Sequence, residues 1–402
     1  MELKRFFVDL HVHIGRDSRG RPVKVSAARN LTFGNIAKEC FYRKGIDVVG
    51  IADAASPRVI EDIETLLDSG EMAEIPGGGV GYRGRVTVLL ASEVETREED
   101  GGSSHHLVFL KDLARARRFS TRLAKCVANI NMSTPRCGMP ARGLCEMARE
   151  EGGVPFPAHA FSPHKSIYGN CVRRLSEAFP PEALGRIPAI ELGLSADTDL
   201  ADTIDELANL TFLSNSDCHS LPKIGREYNE MLLAAPSFDE VMKALARQDG
   251  RLVRRNFGLD PRLGKYHRTY CPACDRTLRD VEPPALSCPF CPGSPVVVGV
   301  LDRIVQIQDH REPRHPAHRP PYQYQVPLEF VPGIGPKSID RLIGEFGSEM
   351  AILHDASEEA LAAVVGERAA HLVIRAREGT LPLLAGGGGR YGKALADSAD
   401  SD

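Results

Sequence analysis

The sequence predicts an α/β protein: a β/α barrel or parallel sheet followed by two small modules. Three observations carry that prediction. Short β-like apolar runs alternate with amphipathic stretches from residue 1 to about 225, the βαβα pattern of a parallel sheet or barrel. Metal-ligand side chains stand at the end of almost every apolar run. After about residue 250 the texture changes to a basic segment, two cysteine pairs and a Pro-Gly turn.

The strand candidates, in order, are RFFVDLHVH, DVVGIAD, VTVLLASEVE, HLVFL, GVPFPAHA, IPAIELG and TFLSNSDCH. Segments such as FGNIAKECFYRKG and DTDLADTIDELANL separate them and read as helical. The chain has 402 residues, enough for two or three domains with a sizeable core. A formal net charge of −4 argues against non-specific coating of nucleic acid but leaves room for a local basic patch. The opening residues MELKRFF carry no apolar signal core, and no apolar run is long enough for a membrane span. A cytoplasmic location without membrane association is therefore expected. In such a reducing compartment, clustered cysteines read as metal ligands rather than disulfides.

Residues two apart on a strand share a face, so His11 and His13 point the same way at the end of the first run. A lone His-x-His is as often a polar strand end. Here, however, Asp53, Glu93, His105–His106, His159, Glu191, Asp217 and His219 stand near the other run ends. In parallel α/β proteins, active sites gather at the carboxyl ends of strands. His, Asp and Glu without thiolate suit Zn²⁺, Mn²⁺ or Fe²⁺, and so many ligands imply a cluster. Two or three close divalent ions suit phosphoester hydrolysis. Cys218, between Asp217 and His219, reads as a packing residue.

Cys271, Cys274, Cys288 and Cys291 form C-x2-C-x13-C-x2-C, the spacing of a structural Zn²⁺ held by four thiolates. Arg251, Arg254, Arg255, Arg262, Lys265 and Arg268 flank it as a candidate nucleic-acid face. A Pro/His/Arg-rich linker follows, in which Tyr322 and Tyr324 read as packing residues. Then comes VPGIGPKSIDRL. Gly333 and Gly335 allow a tight turn and close approach to a ligand, with Ile334 packed inward. The following helix start and Lys337 then offer N–H groups and charge to a phosphate.

DLHVH, SEVE, HHL, PAHAFSPHKS and SDCHS resemble the polymerase-and-histidinol-phosphatase (PHP) family of metal phosphoesterases. That resemblance implies a distorted seven-stranded barrel with a centre of two or three divalent metals (Zn²⁺, Mn²⁺, Mg²⁺ or Fe²⁺). By motif, the ligands are His11, His13, Asp53, Glu93, His106, His159, Asp217 and His219, with Asp217, His159 and Glu93 as its catalytic members. The family's second motif reads Asp-His, whereas Ala54 follows Asp53 here. Asp17 is the candidate for a further ligand after the first motif.

The order of barrel, four-cysteine knuckle and a hairpin resembling a helix-hairpin-helix element is similar to the endonuclease Q family, as are IGREYNEM and RPPYQYQVPLEFVPGIGPK. The resemblance covers about residues 5 to 350. It implies metal-dependent nicking of damaged DNA, duplex or single-stranded, on the 5′ side of deaminated bases (uracil, hypoxanthine, xanthine) and abasic sites. Gly333, Gly335, Lys337, His164 and Lys165 are the expected DNA contacts. The expected division is a barrel over 1–250, the basic segment and zinc module over 251–312, the linker and hairpin region over 313–385, and a disordered tail over 386–402. DNA is the expected partner, with the protein nucleoid-associated when bound, and the acidic tail leaves room for a DNA-loading protein. A small-molecule phosphatase, a 3′–5′ exonuclease and a non-catalytic scaffold are the competing readings.

Overall fold

The computed structural model describes residues 2–396. Eleven strands build its first part: β1 (Lys4–Val12), β2 (Val48–Ile51), β3 (Met72–Glu74), β4 (Val80–Tyr82), β5 (Val86–Arg97), β6 (Ser103–Leu110), β7 (Val154–Pro157), β8 (Ala189–Glu191), β9 (Thr211–Leu213), β10 (Tyr228–Leu233) and β11 (Leu252–Gly258). The expected runs all contain strands, but the sheet is mixed rather than parallel. β1–β2 and β2–β5 pair in parallel, whereas β5–β6, β6–β7, β1–β10 and β10–β11 pair antiparallel. Residues 98–102 join β5 to β6, too few for a crossover, so the pair must be a hairpin. Four strands escaped the sequence reading, the short β3 and β4 and the longer β10 and β11. YNEMLL lies next to the SDCHS motif, and LVRRNFG reads as a basic run.

β1 lies in the middle and buries its last six residues, as a central strand covered on both faces must. β8 and β9 form a separate parallel pair. Buried amides bridge that pair to the main sheet. Asn256 Nδ2 donates to Phe212 O (3.0 Å) and to Asn229 Oδ1 (2.9 Å). Asn229 Nδ2 in turn reaches Ser214 O (2.9 Å) and Asn215 Oδ1 (3.0 Å). Hydrogen-bonded buried amides cost little and fix one register, and of these side-chain polar atoms Asn256 Oδ1 alone lacks a partner.

Two apolar clusters flank the sheet. One holds Phe33, Ile36, Val59 and Ile63 from the helices Phe33–Glu39 and Pro57–Asp68. The other holds Phe109, Phe156, Phe161, Tyr168, Phe179 and Phe212. Each such ring contributes about 1.5–3 kcal/mol by leaving water. The helix Val300–Ile307 buries Val300, Ile304 and Ile307 in the second cluster, at helical spacing. It thereby seats the cysteine module against the first part of the chain. That module is a small hairpin, β12 (Tyr270–Cys271) and β13 (Arg276–Thr277). Buried Asp302 organises it by accepting from Thr269 N and Ala285 N, both at 2.8 Å.

Beyond it, β14 (Tyr322–Tyr324) adds to the edge of β11. Tyr322 hydrogen-bonds Leu259 O (3.2 Å) and Tyr324 hydrogen-bonds Asp197 (2.7 Å), so both rings pack. The turn Leu328–Phe330 leads through Gly333, at φ 81°, to the helix Pro336–Phe346. Ile334 is buried, while Gly333, Gly335 and Lys337 are exposed.

The expectation of a disordered tail from residue 386 is corrected for the described part. β15 (Leu383–Leu384) pairs with β16 (Lys393–Ala394), and Gly386 N and Gly392 N bond to Arg262 O and Leu263 O at 2.7 and 2.9 Å. The glycine run is a turn, with Gly387, Gly388 and Gly389 at positive φ, so its composition serves geometry. Residues 397–402 lie outside the described residues.

Candidate metal centre

The end of β1 is where the chemistry gathers. A register irregularity between Asp9 and Val12 lies under the two histidines, and such bulges re-aim side chains. The segment after β9 runs beside this end. His13 N donates to Cys218 O (3.2 Å) and Cys218 N to His11 O (3.3 Å), so Asp217 and His219 flank the strand end while Cys218 is buried beneath. Burial pushes the Cys218 thiol up to about 12, which leaves it a neutral packing group. Buried Asp9 fixes the segment by accepting from Ser216 N (3.0 Å) and Gly225 N (2.9 Å).

Three groups of potential ligand atoms converge there: His11–His13–Glu93, His13–Asp217–His219 and Glu93–His105–His159. His11 Nε2 lies 3.2 Å from His13 Nε2, 3.6 Å from Glu93 Oε1 and 3.6 Å from Asp217 Oδ1. His159 Nε2 lies 3.1 Å from Glu93 Oε1 and 3.2 Å from His105 Nδ1. Tetrahedral metal–ligand bonds of about 2.05 Å would put neighbouring donors about 3.3 Å apart, so these spacings fit a divalent cation. His159 and Asp217 both have positive φ, 30° and 42°. Backbone strain of this kind collects at functional sites. Gly193 lies against His159, and a Cβ there would come within 3.0 Å of the His159 Cβ.

Carboxylates behind the rings set which nitrogen faces the centre. Glu191 Oε2 takes His11 Nδ1 at 3.0 Å, and Asp53 Oδ2 takes His13 Nδ1 at 3.1 Å. Each leaves Nε2 pointing inward, the arrangement by which a second carboxylate orients a metal-binding imidazole. Glu191 is itself held by Asn215 Nδ2 at 3.0 Å, so the amide chain from β11 ends on a cluster histidine. Burial opposes the charge on Glu93, but His105, His159 and Lys24 hold its carboxyl well below the usual range. Asp217 is held well below it by His11, His13 and His159, again against burial. Burial likewise opposes a proton on His11, yet Glu191, Asp217 and Glu93 raise it to about 10.

Two expected ligands stand elsewhere. Asp53 supports His13 from behind instead of joining the three groups. His106 faces away from the cluster. Its Nε2 meets Ser104 Oγ at 2.8 Å, its ring packs on Phe179, and burial beside His105 and His159 pushes it down to about 3. His105 takes the place. In the β5–β6 hairpin His105 pairs with Glu95 and Leu107 with Glu93, so Glu93, Glu95 and His105 share one face. An antiparallel register was the signal that could have chosen between the two histidines. His105→Ala should therefore remove one bound ion per chain and lower turnover by about 10²-fold or more. His106→Gln should keep the ion and lower Tm. Metal content and thermal melts of the two variants check this.

The remaining candidates are tied to other groups. Lys165 Nζ pairs with Glu95 at 2.8 Å, and His164 packs edge-on to Tyr266. Asp17 binds Arg21 and closes its own loop through Arg19 N and Arg21 N at 3.1 and 2.7 Å. Arg251, Arg254, Arg262 and Arg268 pair with Glu240, Glu230, Asp260 and Asp302, which draws much of the basic run into local ion pairs.

A cavity of about 490 Å³ opens beside His159, Asp217 and His219, with Lys265, Arg226 and Tyr391 among its walls. Arg226 holds Ser216 O (2.8 Å), Asp217 O (3.3 Å) and the Tyr391 hydroxyl (2.9 Å). The Lys265 ammonium lies 4.5 Å from the Tyr391 ring centre. Tyr391, in the supposed tail, is a wall residue that sequence reasoning missed. In the cysteine module, the four Sγ atoms all lie within 4.8 Å of one another, and Cys274 and Cys288 are 3.8 Å apart. Bonds of about 2.3 Å from sulfur to a tetrahedral zinc require about 3.8 Å. No helix among the described residues is long and apolar enough to cross a membrane.

A family model described as PHP-associated matches residues 198–249. An uncharacterised protein of Bacillus subtilis, YqxK, is 45% identical over 393 residues, covering 97% of this chain and 99% of its own. An uncharacterised protein of Methanocaldococcus jannaschii is 38% identical over 223 residues, which are 51% of this chain and 28% of that longer one. The crystal structure of the lesion-specific endonuclease PfuEndoQ from Pyrococcus furiosus is 32% identical, with a TM-score of 0.82 over 97% of this chain and 95% of that one. A structure of endonuclease Q with a 27-mer duplex carrying an abasic lesion at its active site matches equally, at 32% identity and a TM-score of 0.82, over 99% and 98%.

Proposed function

The chain belongs to the endonuclease Q family, and from that premise we propose that it is a metal-dependent DNA repair endonuclease. It hydrolyses the phosphodiester on the 5′ side of deaminated bases (uracil, hypoxanthine, xanthine) and of abasic sites. The observation that carries this reading is the set of three donor groups linked through Glu93 and His13, of which His159, Asp217 and His219 line a cavity that also holds Lys223, Arg226 and Lys265 in its walls.

The fold is that of a distorted seven-stranded barrel, in which the buried asparagines substitute for part of the backbone ladder. His11, His13, Glu93, His105, His159, Asp217 and His219 would hold two or more divalent ions. Such ions activate a water molecule and offset charge on a phosphoryl group. The chain's own residues do the rest. Glu191 and Asp53 keep His11 and His13 in the tautomer that faces the centre. Arg226 fixes the Asp217 loop, and Lys265 adds positive charge to the wall. The cavity is of ordinary small-ligand size and takes an extruded nucleotide, whose unstacking costs least at a damaged or mispaired base.

The four cysteines would hold a structural Zn²⁺. The hairpin at Gly333 and Gly335 is a helix-hairpin-helix grip on the backbone. An added Cβ would meet nothing within 4 Å at either glycine, so the turn stands clear of the fold, with Lys337 beside it. The barrel over 1–250, the zinc module over 251–312 and the hairpin region over 313–385 act as one DNA-binding surface.

A nicking assay tests this. End-labelled duplexes holding one uracil, hypoxanthine, xanthine, abasic site or no lesion are incubated with the protein and Mn²⁺, Mg²⁺ or Zn²⁺. A single cut 5′ of the lesion is expected, absent from the undamaged duplex and after chelation. Stepwise shortening would replace this reading with an exonuclease. Phosphate release from small esters alone would replace it with a phosphatase.

A further inference from the structure

A second basic cavity, of about 330 Å³, lies at the other end of β1. Arg5 lines it from the start of that strand, eight residues before His13. At about 3.3 Å per strand residue, the two stand roughly 26 Å apart. Strands β1, β10, β11 and β14 and the helices Glu349–His354 and Glu367–Glu378 all contribute to its walls. We infer that this cavity is an anion site for a small phosphorylated ligand, either free phosphate or a phosphate monoester, separate from the metal centre. The inference stands without the nuclease reading.

Unused donors carry the argument. Arg5, Arg254, Arg255 and Arg377 bring four guanidinium groups to the walls. Two of them are answered, Arg254 by Glu230 at 3.2 Å and Arg5 by Asp355 at 3.4 Å. Arg255 makes no ion pair among the described residues and rests 5.9 Å from the Phe257 ring centre. Arg377 spends Nη2 on Ile352 O (2.6 Å) and Ala356 O (2.8 Å), while its buried Nε has no partner. Gln325 adds a donor of a different kind. It lines the cavity at 5% exposure. The Tyr228 hydroxyl donates to its Oε1 at 2.5 Å, and its buried Nε2 is left without a partner.

Buried N–H groups without an acceptor cost stability until something accepts from them. An anion with several oxygens answers two such groups and a free guanidinium at once. The local field suits it. Burial pushes His354 in the same wall down to about 4, and Arg5, Arg377 and Arg255 add to that effect. The imidazole therefore stays neutral and leaves the positive charge to the arginines. The shape points to a small ligand instead of a duplex. The volume is at the lower end for small-molecule sites. Exposed Glu378 and Asp355 beside the cavity would repel a continuous polyanion.

The test titrates inorganic phosphate or deoxyadenosine 5′-monophosphate into the full chain by calorimetry, with the metal centre occupied by an abasic duplex in Ca²⁺. One saturable site per chain is expected. Tighter binding of the nucleotide would identify the ligand as a phosphate monoester, and equal binding as free phosphate. Arg255→Ala, which breaks no ion pair, should weaken binding about tenfold or more, and Gln325→Leu severalfold. Saturating probe should raise the wild-type Tm by about 2–4 °C and that of Arg255→Ala by much less. No saturable binding, or binding that both variants leave unchanged, would overturn the proposal. So would Arg255-dependent binding that the duplex abolishes, since the cavity would then belong to the DNA-binding surface. If the chain takes no duplex at all, the nuclease reading fails. Comparing wild type with Arg255→Ala in the absence of duplex then still decides this proposal.

Discussion

Asp217→Asn should abolish lesion-dependent cleavage, lowering kcat on the order of 10³-fold or more, while duplex binding stays within a few-fold of wild type. The carboxylate is the one acidic member of the His13–Asp217–His219 group. Its Oδ1 lies 3.4 Å from His13 Nε2 and 3.6 Å from His11 Nε2. Its charge is held in place, because His11, His13 and His159 outweigh the effect of burial. An amide of the same shape removes that charge and one ligand oxygen, and the loss of several kcal/mol of transition-state stabilisation corresponds to about 10³-fold in rate.

The substitution is also unusually clean. Asp217 has φ 42°, a region that Asn tolerates better than almost any other residue apart from glycine. The contacts that hold the loop use its backbone carbonyl, which accepts from Arg226 at 3.3 Å and His219 at 3.0 Å. Both survive the change. Measuring kcat on an abasic duplex, Kd on the same duplex with Ca²⁺, and the melting curve separates chemistry from folding. A variant that cleaves at the wild-type rate would remove Asp217 from the centre.

Much of this centre could be read from the chain, because strand ends concentrate ligands and a few short motifs name them. His11, His13, Glu93, His159, Asp217 and His219 come together as expected. What could not be read depends on direction and register. A βαβα reading makes β5 and β6 parallel neighbours, and alternation alone cannot then choose between His105 and His106. The hairpin does choose, by setting His105 opposite Glu95. Asp53 illustrates a second limit. A carboxylate near a histidine is equally suited to binding a metal or to orienting the ring that binds it, and only the 3.1 Å contact with His13 Nδ1 decides. The amide chain Asn256–Asn229–Asn215 gives no local signal, since nothing beside any of these asparagines in the sequence points to the other two. Its meaning appears once three distant segments meet. The glycine-rich end failed for the opposite reason. Composition suggested disorder, but three positive-φ glycines and one anchored tyrosine make it a wall of the cavity.

Glu227→Gln should stabilise the protein in alkaline solution and leave it nearly unchanged in acid. Glu227 is buried directly after the arginine that fixes the Asp217 loop. Its Oε1 accepts from Leu259 N at 2.9 Å, and its Oε2 has no partner. Burial raises its carboxyl to about 8, because neither the Leu259 hydrogen bond nor Arg226 offsets the lost hydration. The native state therefore binds a proton that the unfolded chain releases near pH 4.5. A raised folded-state value means that the neutral group's contribution is complete below about 4.5. It is lost as pH rises through about 8. Each pH unit of that interval is worth about 1.4 kcal/mol, so above pH 8 the wild-type protein gives up on the order of 4–5 kcal/mol that a glutamine, which does not titrate, retains. The two melting temperatures should coincide near pH 4.5–5, separate progressively up to pH 8, and run parallel beyond it. The opposite order, with the glutamine variant falling below wild type as pH rises, would mean that Glu227 is charged in the native protein and balances Arg226. The Asp217 loop would then depend on a buried ion pair instead of on Arg226 and the backbone carbonyls it binds.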